Sequence, residues 1–222
     1  MSRVIVALDN LFREDAVTLA RTLHGSVAGF KVHTLIDRYG AAVCEEIAQY
    51  GLLMVDLKLH DIPHTMTLRA TPFADTASYL TVHASNSAAI ISAAAAAVPD
   101  ARVAAVTILT SIDAATCSRL YGTPPEETVV RLALHAVAAG ARAIVCSGQE
   151  LASLHALPEM NDIEFLVPGV RTNPATDDQV RTVTPAAAIR NGATHVIIGR
   201  EIVCDPNPLT AAKRINDAIG NR

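Results

Sequence analysis

Val4-Ile5-Val6-Ala7-Leu8-Asp9-Asn10 begins as an unbroken apolar run and ends on a carboxylate and an amide. Continuous apolar character over so few residues fits a strand buried on both faces, the habit of parallel sheets. The residues after Leu8 then decide between two parallel architectures. A doubly wound open sheet is expected to carry a glycine-rich phosphate loop behind its first strand. Neither GxGxxG nor GxxxxGK[ST] follows Leu8. The first strand therefore leans towards a closed barrel, whose strand ends carry polar chemistry instead of a nucleotide loop.

Working outward, seven more runs of the same kind follow: 29–32, 52–57, 79–82, 103–109, 143–146, 164–167 and 195–198. Helix-like stretches lie between them at 14–23, 39–50, 87–98, 125–139 and 185–190. The alanine-dense 87–98 stretch suits helix by propensity. Pro125 sits where proline suits a first helical turn, and Gly140 and Asn191-Gly192 are stop signals. Eight β/α units in 222 residues predict an α/β fold, a (β/α)8 TIM barrel forming one domain over 1–222. The open doubly wound sheet is the alternative.

The bulk numbers exclude other classes. Half the residues are apolar and 18% are charged, as in globular domains and unlike disordered chains. A net charge of −4 and 4% aromatic residues argue against nucleic acid as a partner. No apolar stretch approaches the roughly 18–20 residues that span a bilayer, and the short first run is too brief for a signal peptide. Cys44, Cys117, Cys146 and Cys204 are scattered without CxxC spacing. A cytoplasmic protein with reduced thiols and no membrane partner is expected.

The predicted C-terminal strand ends carry Asp9, Lys31, Asp56 with Lys58, His83, Thr110 with Ser111, Ser147, Arg171, and Gly199 with Arg200. The densest is Asp56-Leu57-Lys58-Leu59-His60-Asp61-Ile62-Pro63-His64-Thr65, with two carboxylates flanking one ammonium. Strand alternation puts Asp56 and Lys58 on one face, and Pro63 moves Asp61 onto the connection beyond. A structural pair needs one acid and one base, so the extra charge points to chemistry. Lys31, Asp56, Lys58 and Asp61 are expected to alternate in sign across two neighbouring strands. Such an array keeps Lys58 protonated, a fixed cation and proton donor for charge developing on carbon. A structural ion-pair ladder is the alternative.

On the late strands, Gly169-Val170-Arg171 and Gly199-Arg200 each place glycine and then arginine past an apolar run. Backbone N–H groups beside glycine and bidentate arginine suit a phosphate. A metal is not expected: Pro63 breaks a helical pairing of His60 with His64, and the lysines compete with a cation among Asp9, Asp56 and Asp61. His83 is expected to be a hydrogen-bonded rim residue.

The ten residues from Asp56 resemble the DxKxxDIPxT signature of the orotidine 5'-monophosphate decarboxylase family, most like its bacterial branch. Val6-Ala7-Leu8-Asp9, Phe30-Lys31-Val32, Val82-His83-Ala84-Ser85, Leu109-Thr110-Ser111, Pro168-Gly169-Val170-Arg171, Asp178-Gln179 and Ile198-Gly199-Arg200 extend the likeness along nearly the whole chain. The resemblance implies a cofactor-free, metal-free decarboxylase of pyrimidine biosynthesis acting on a small nucleotide. Lys58 is then the proton donor to C6 and Asp56 crowds the substrate carboxylate. Asp61 and Thr65 reach the neighbouring site of a homodimer. Asp9 and Lys31 hold the ribose, Thr110 and Ser111 the pyrimidine edge, and Arg171, Gln179, Gly199 and Arg200 the phosphate. Two departures stand out: the 172–178 segment lacks glycine and looks about one residue short, and His33 stands where glycine is expected. The rival readings are a metal-dependent phosphosugar decarboxylase or aldolase on the same barrel, and a non-catalytic phosphate-ligand binding protein.

Overall fold

The apolar runs become the strands β1 (Val4–Ala7), β2 (Gly29–Val32), β3 (Leu52–Leu59), β4 (Tyr79–His83), β5 (Arg102–Val106), β6 (Ala143–Val145), β7 (Glu164–Val167) and β8 (His195–Ile198). The structure is a computed structural model and describes residues 2–172 and 182–220. Each strand pairs in parallel with the next, and β8 returns to β1, closing a barrel. Helices cover the outside between strands, as the βα alternation requires.

The boundaries differ from expectation in informative places. β5 stops at Val106, three residues before the expected 109, and the chain then turns, with Ile112 N–H donating to Leu109 C=O at 2.9 Å. β3 runs two residues beyond the expected 57, to Leu59. The expected 39–50 helix is shorter, Ala42–Ala48, and a separate helix that carried no expectation, Thr34–Tyr39, precedes it. Gly40 separates them with φ +69, a left-handed conformation that ends the first helix. Helices Ala114–Tyr121 and Pro208–Ala218 carried no expectation; each begins on a side-chain cap, Asp113 accepting the Thr116 N–H and Asn207 the Thr210 N–H.

Strand alternation divides the core in two. Val4, Val6, Phe30, Leu53 and Val55 face outward and pack with Leu23, Ile47 and Met66 of the helices. Ile5, Ala7, Met54, Tyr79, Ala104, Val106, Ala143, Val145, Leu166 and Ile197 fill the barrel interior. The alanines on β1, β5 and β6 leave room for the bulk of Met54 and Tyr79. Gly29 allows β2 and β3 to meet, because a Cβ there would lie 2.0 Å from the Leu52 carbonyl oxygen.

Below this plug, at the strands' N-terminal ends, Tyr79 O–H donates to Glu164 at 2.6 Å and Arg102 lies 3.4 Å from the same carboxylate. His195 packs edge-on against Tyr79, with ring centroids 6.1 Å apart. Among the described residues, no helix is long and apolar enough to cross a membrane.

Candidate active site

Above the plug the inward-facing positions turn from apolar to charged. Along β3 the inward residue after Met54 is Asp56; along β4 Thr81 follows Tyr79; on β2 it is Lys31, and past the end of β1 it is Asp9. Lys31 Nζ lies 2.8 and 3.1 Å from the two carboxylate oxygens of Asp9 and 3.2 Å from Asp56. Lys58 Nζ donates to both oxygens of Asp56, at 2.8 and 2.9 Å. The alternating array is therefore Asp9, Lys31, Asp56, Lys58.

Asp61 is not its fourth member, contrary to the expectation. The chain leaves the barrel after Leu59, and the Asp61 carboxylate accepts the N–H of its own neighbour, Ile62, at 2.8 Å. Asp9, from the adjacent first strand, completes the array at its other end, on Lys31.

Burial makes the array interdependent. Lys31 and Asp56 are each 6% exposed. Burial alone pushes the Asp56 carboxyl up, but the ammonium groups of Lys31 and Lys58 outweigh it and hold the carboxyl at about 2. Burial likewise works against the Lys31 ammonium, and the carboxylates of Asp56 and Asp9 outweigh it, leaving Lys31 more firmly protonated than usual. His83 lies nearby, its ring edge-on to His60 at 5.9 Å. Burial first, then His60 and Lys58, lower its pKa, favouring a neutral imidazole. His83 was expected to be a hydrogen-bonded rim residue; among the described residues its ring makes this edge-on contact and no side-chain hydrogen bond.

Lys58 reaches Asp56 by an irregular route. Val55 pairs with Leu80 and Leu59 with Val82, so β3 advances four residues while β4 advances two. The surplus forms a bulge in which Lys58 has φ +45, a conformation costing a non-glycine residue on the order of 1 kcal/mol or more. Side chains from β4 and its loop satisfy the bulge: Lys58 N–H donates to Thr81 Oγ1 at 2.8 Å, and Asn86 Nδ2 donates to Leu59 C=O at 2.9 Å. The alternation rule gave the right face for Lys58 but carried no sign of the bulge.

One cavity of about 670 Å³ gathers Asp9, Lys31, Asp56, Lys58, Thr110, Arg171, Gly199 and Arg200. Its size falls within the range of small-molecule sites. Met54, Val106, Ile108, Val145 and Ile197 supply its apolar wall. In a ring of eight strands β3 and β7 stand opposite, so the Lys58 end faces the Arg171 end across the mouth. Thr172, next to Arg171, donates its N–H to Glu201 at 2.9 Å, tying the end of β7 to the short helix Arg200–Val203.

Not every expected site residue lies here. The exposed Ser111 lies outside the cavity, as do the half-buried Asp61 and the half-buried Thr65 on helix Pro63–Ala70. Gln179, with most of the short 172–178 segment, lies outside the described residues. The sequence reading passed over Asn10, His33, Cys146 and Cys204, all on the cavity wall, and Thr81 beneath it. Asn10 and His33 had a signal in their nearness to Asp9 and Lys31. For Thr81 the signal was its inward register two residues before His83.

The sequence matches the model of the family described as orotidine 5'-phosphate decarboxylase / HUMPS over residues 2–215. Orotidine 5'-phosphate decarboxylase of Thermobifida fusca is 44% identical over 216 residues, covering 94% of this chain and 92% of that protein. The enzyme of the same name from Nitrosococcus oceani is 38% identical, covering 99% and 98% respectively. The crystal structure of orotidine 5'-phosphate decarboxylase from Lactobacillus acidophilus aligns with a TM-score of 0.81 at 28% identity, over 99% of this chain and 100% of that one.

Proposed function

The chain belongs to the orotidine 5'-phosphate decarboxylase / HUMPS family, and we propose that it converts orotidine 5'-monophosphate to uridine 5'-monophosphate in pyrimidine biosynthesis, with Lys58 as the proton donor. The observation that carries this reading is the grip of Lys58 Nζ on both oxygens of a buried carboxylate that the ammonium groups of Lys31 and Lys58 hold ionised against its burial. The C6–carboxylate bond breaks, CO2 departs, and the electron pair remains on C6 in the plane of the ring. The ring π system cannot absorb a pair in that plane. A cation already in place is the available stabilisation, and the same ammonium delivers the proton to C6. Asp56, beside the departing carboxylate, disfavours the bound substrate more than the state after CO2 has left.

The opposite end of the cavity supplies binding energy away from the reacting carbon. Arg171 and Arg200 suit a phosphate, Asp9 and Lys31 the ribose hydroxyls, and Thr110 the pyrimidine edge, with Gly199 giving backbone access. Ser111 and Gln179 are proposed as further substrate contacts on the family pattern alone. Asp61 and Thr65 are proposed to act in the site of a second subunit. Their position outside this chain's own cavity, beside the exposed Ile62 and Leu68, supports that role. Four free cysteines suit a cytoplasmic setting.

A metal-dependent phosphosugar reaction on this barrel is disfavoured by the donor set. The carboxylate oxygens of Asp9 and Asp56 that would ligate a cation already accept from Lys31 and Lys58. The deciding assay follows loss of pyrimidine absorbance with orotidine 5'-monophosphate, with and without EDTA, and with a ribulose-type phosphate in parallel. Turnover of the nucleotide unaffected by EDTA is expected, and Lys58→Ala is expected to fold but not turn over. Near-normal activity of that variant would sink the assignment.

A further inference from the structure

Thr81 is buried beneath the cavity, and its hydroxyl has two partners. It accepts the N–H of Lys58 at 2.8 Å and donates to Oδ1 of Asp56 at 3.0 Å. We propose that Thr81 is a positioning residue for decarboxylation, tying the backbone of the proton donor to the carboxylate that the donor's own ammonium grips. This deepens the reading of Lys58 and Asp56 given above and rests on it.

The bulge creates the need. Between the pairs Val55–Leu80 and Leu59–Val82 the regular ladder stops, and the Lys58 N–H has no strand carbonyl opposite it. Thr81 is the β4 residue between those two pairs, and its oxygen fills that gap. Once that oxygen accepts from Lys58, the hydroxyl's single hydrogen is directed to Asp56. The result is a closed ring of contacts: Lys58 N–H donates to Thr81, Thr81 donates to Asp56, and Lys58 Nζ donates to the same Asp56 carboxylate. Lys58 is thus held at its backbone and at its reactive tip by two groups bonded to each other.

A brace for the bulge alone needs only the first of these bonds. The second reaches a charged group at the reacting centre, and it fixes the rotamer of Asp56 as well as the φ of Lys58. Asn86 offers the contrast: it holds the neighbouring Leu59 carbonyl, and no bond from it to Asp56 or Lys58 occurs. The β-branch of Thr81 restricts its own rotation, so the ring of contacts is preorganised before substrate arrives.

The test compares Thr81→Val, which keeps the shape and removes the hydroxyl, with Thr81→Ser, which keeps the hydroxyl. With orotidine 5'-monophosphate, Thr81→Val is expected to lower kcat roughly tenfold or more while KM stays within about twofold. Thr81→Ser should recover kcat to within about threefold of the parent enzyme. The Asp56 carboxyl titration, followed by carbon-13 NMR, should move upward in Thr81→Val because the ionised form loses a donor. If Thr81→Val does not fold, Thr81→Cys, with its weak S–H donor, carries the same expectations. A Thr81→Val kcat within twofold of the parent overturns the proposal, as does an equal loss in Thr81→Ser. Should the parent enzyme not act on this nucleotide, the reading of the site fails separately. The Asp56 titration then decides for Thr81, and an unmoved titration sinks it.

Discussion

Lys31 bridges two strands' worth of acid: its Nζ sits 2.8 Å from Asp9 and reaches across to Asp56 at 3.2 Å. The Asp9 side of this bridge is partly open to solvent, whereas the Asp56 side is closed. Replacing Lys31 by Met would leave a buried carboxylate with one ammonium fewer. Breaking a buried pair from one side typically costs about 3–5 kcal/mol. Urea unfolding of Lys31→Met should show a loss near the lower figure, because Lys58 still compensates Asp56. A loss under about 1 kcal/mol would mean that the array is not energetically coupled.

The acid limb of stability should carry the signature of Asp56. Its carboxyl is held at about 2 when folded, against about 3.9 in an unfolded chain. A depressed folded value means that the stabilisation is fully present above about pH 4 and is lost as pH falls through about 2, amounting to roughly 2–3 kcal/mol. Melting temperature against pH should therefore fall less steeply over that window in Asp56→Asn than in the parent protein. Parallel curves would contradict the assignment.

The left-handed backbone of Lys58 predicts a separation of stability from activity. Lys58→Gly removes the proposed proton donor and also relieves φ +45. Lys58→Ala removes the donor and keeps the strain. Both should be inactive, with the glycine variant more stable than the alanine variant by about 1 kcal/mol in denaturant titration. The reverse order would argue that the bulge is relaxed.

At the far end of the cavity, Arg200→Ala is expected to raise KM for the nucleotide by at least about tenfold if the proposed charge-assisted phosphate contact is made. A substrate lacking the phosphate should be nearly indifferent to the change. Steady-state kinetics on the two substrates separates a phosphate role for Arg200 from a structural one.

Gly29→Ala tests barrel closure. A Cβ would press on the Leu52 carbonyl, a backbone atom that can move only by parting β2 from β3. A loss of about 1–3 kcal/mol is expected from thermal melts.

The strand count, the closed barrel and the charged rim were legible because each depends on patterns local in sequence: apolar runs, polar tips and the spacing around Asp56. What was not legible depends on pairing between strands. The extension of the array to Asp9 follows from the pairing that brings β1 and β2 side by side at the rim, and the absence of Asp61 from it follows from the turn of the chain beyond Leu59. The bulge at Lys58 exists only as a mismatch of register against β4, which no window on β3 alone reveals. Gly40 was visible as a residue, but its role as the boundary between Thr34–Tyr39 and Ala42–Ala48 depended on its left-handed φ, since glycine also occurs inside helices.

The apolar plug separates two polar assemblies: the rim array of Asp9, Lys31, Asp56 and Lys58, and the basal cluster of Tyr79, Arg102 and Glu164. Among the described residues the two share no hydrogen-bond or ion-pair partner, so they are expected to contribute additively. The barrel's base can thus be rebuilt for heat resistance without retuning its chemistry, and substrate preference can drift at the rim without unsettling the foundation.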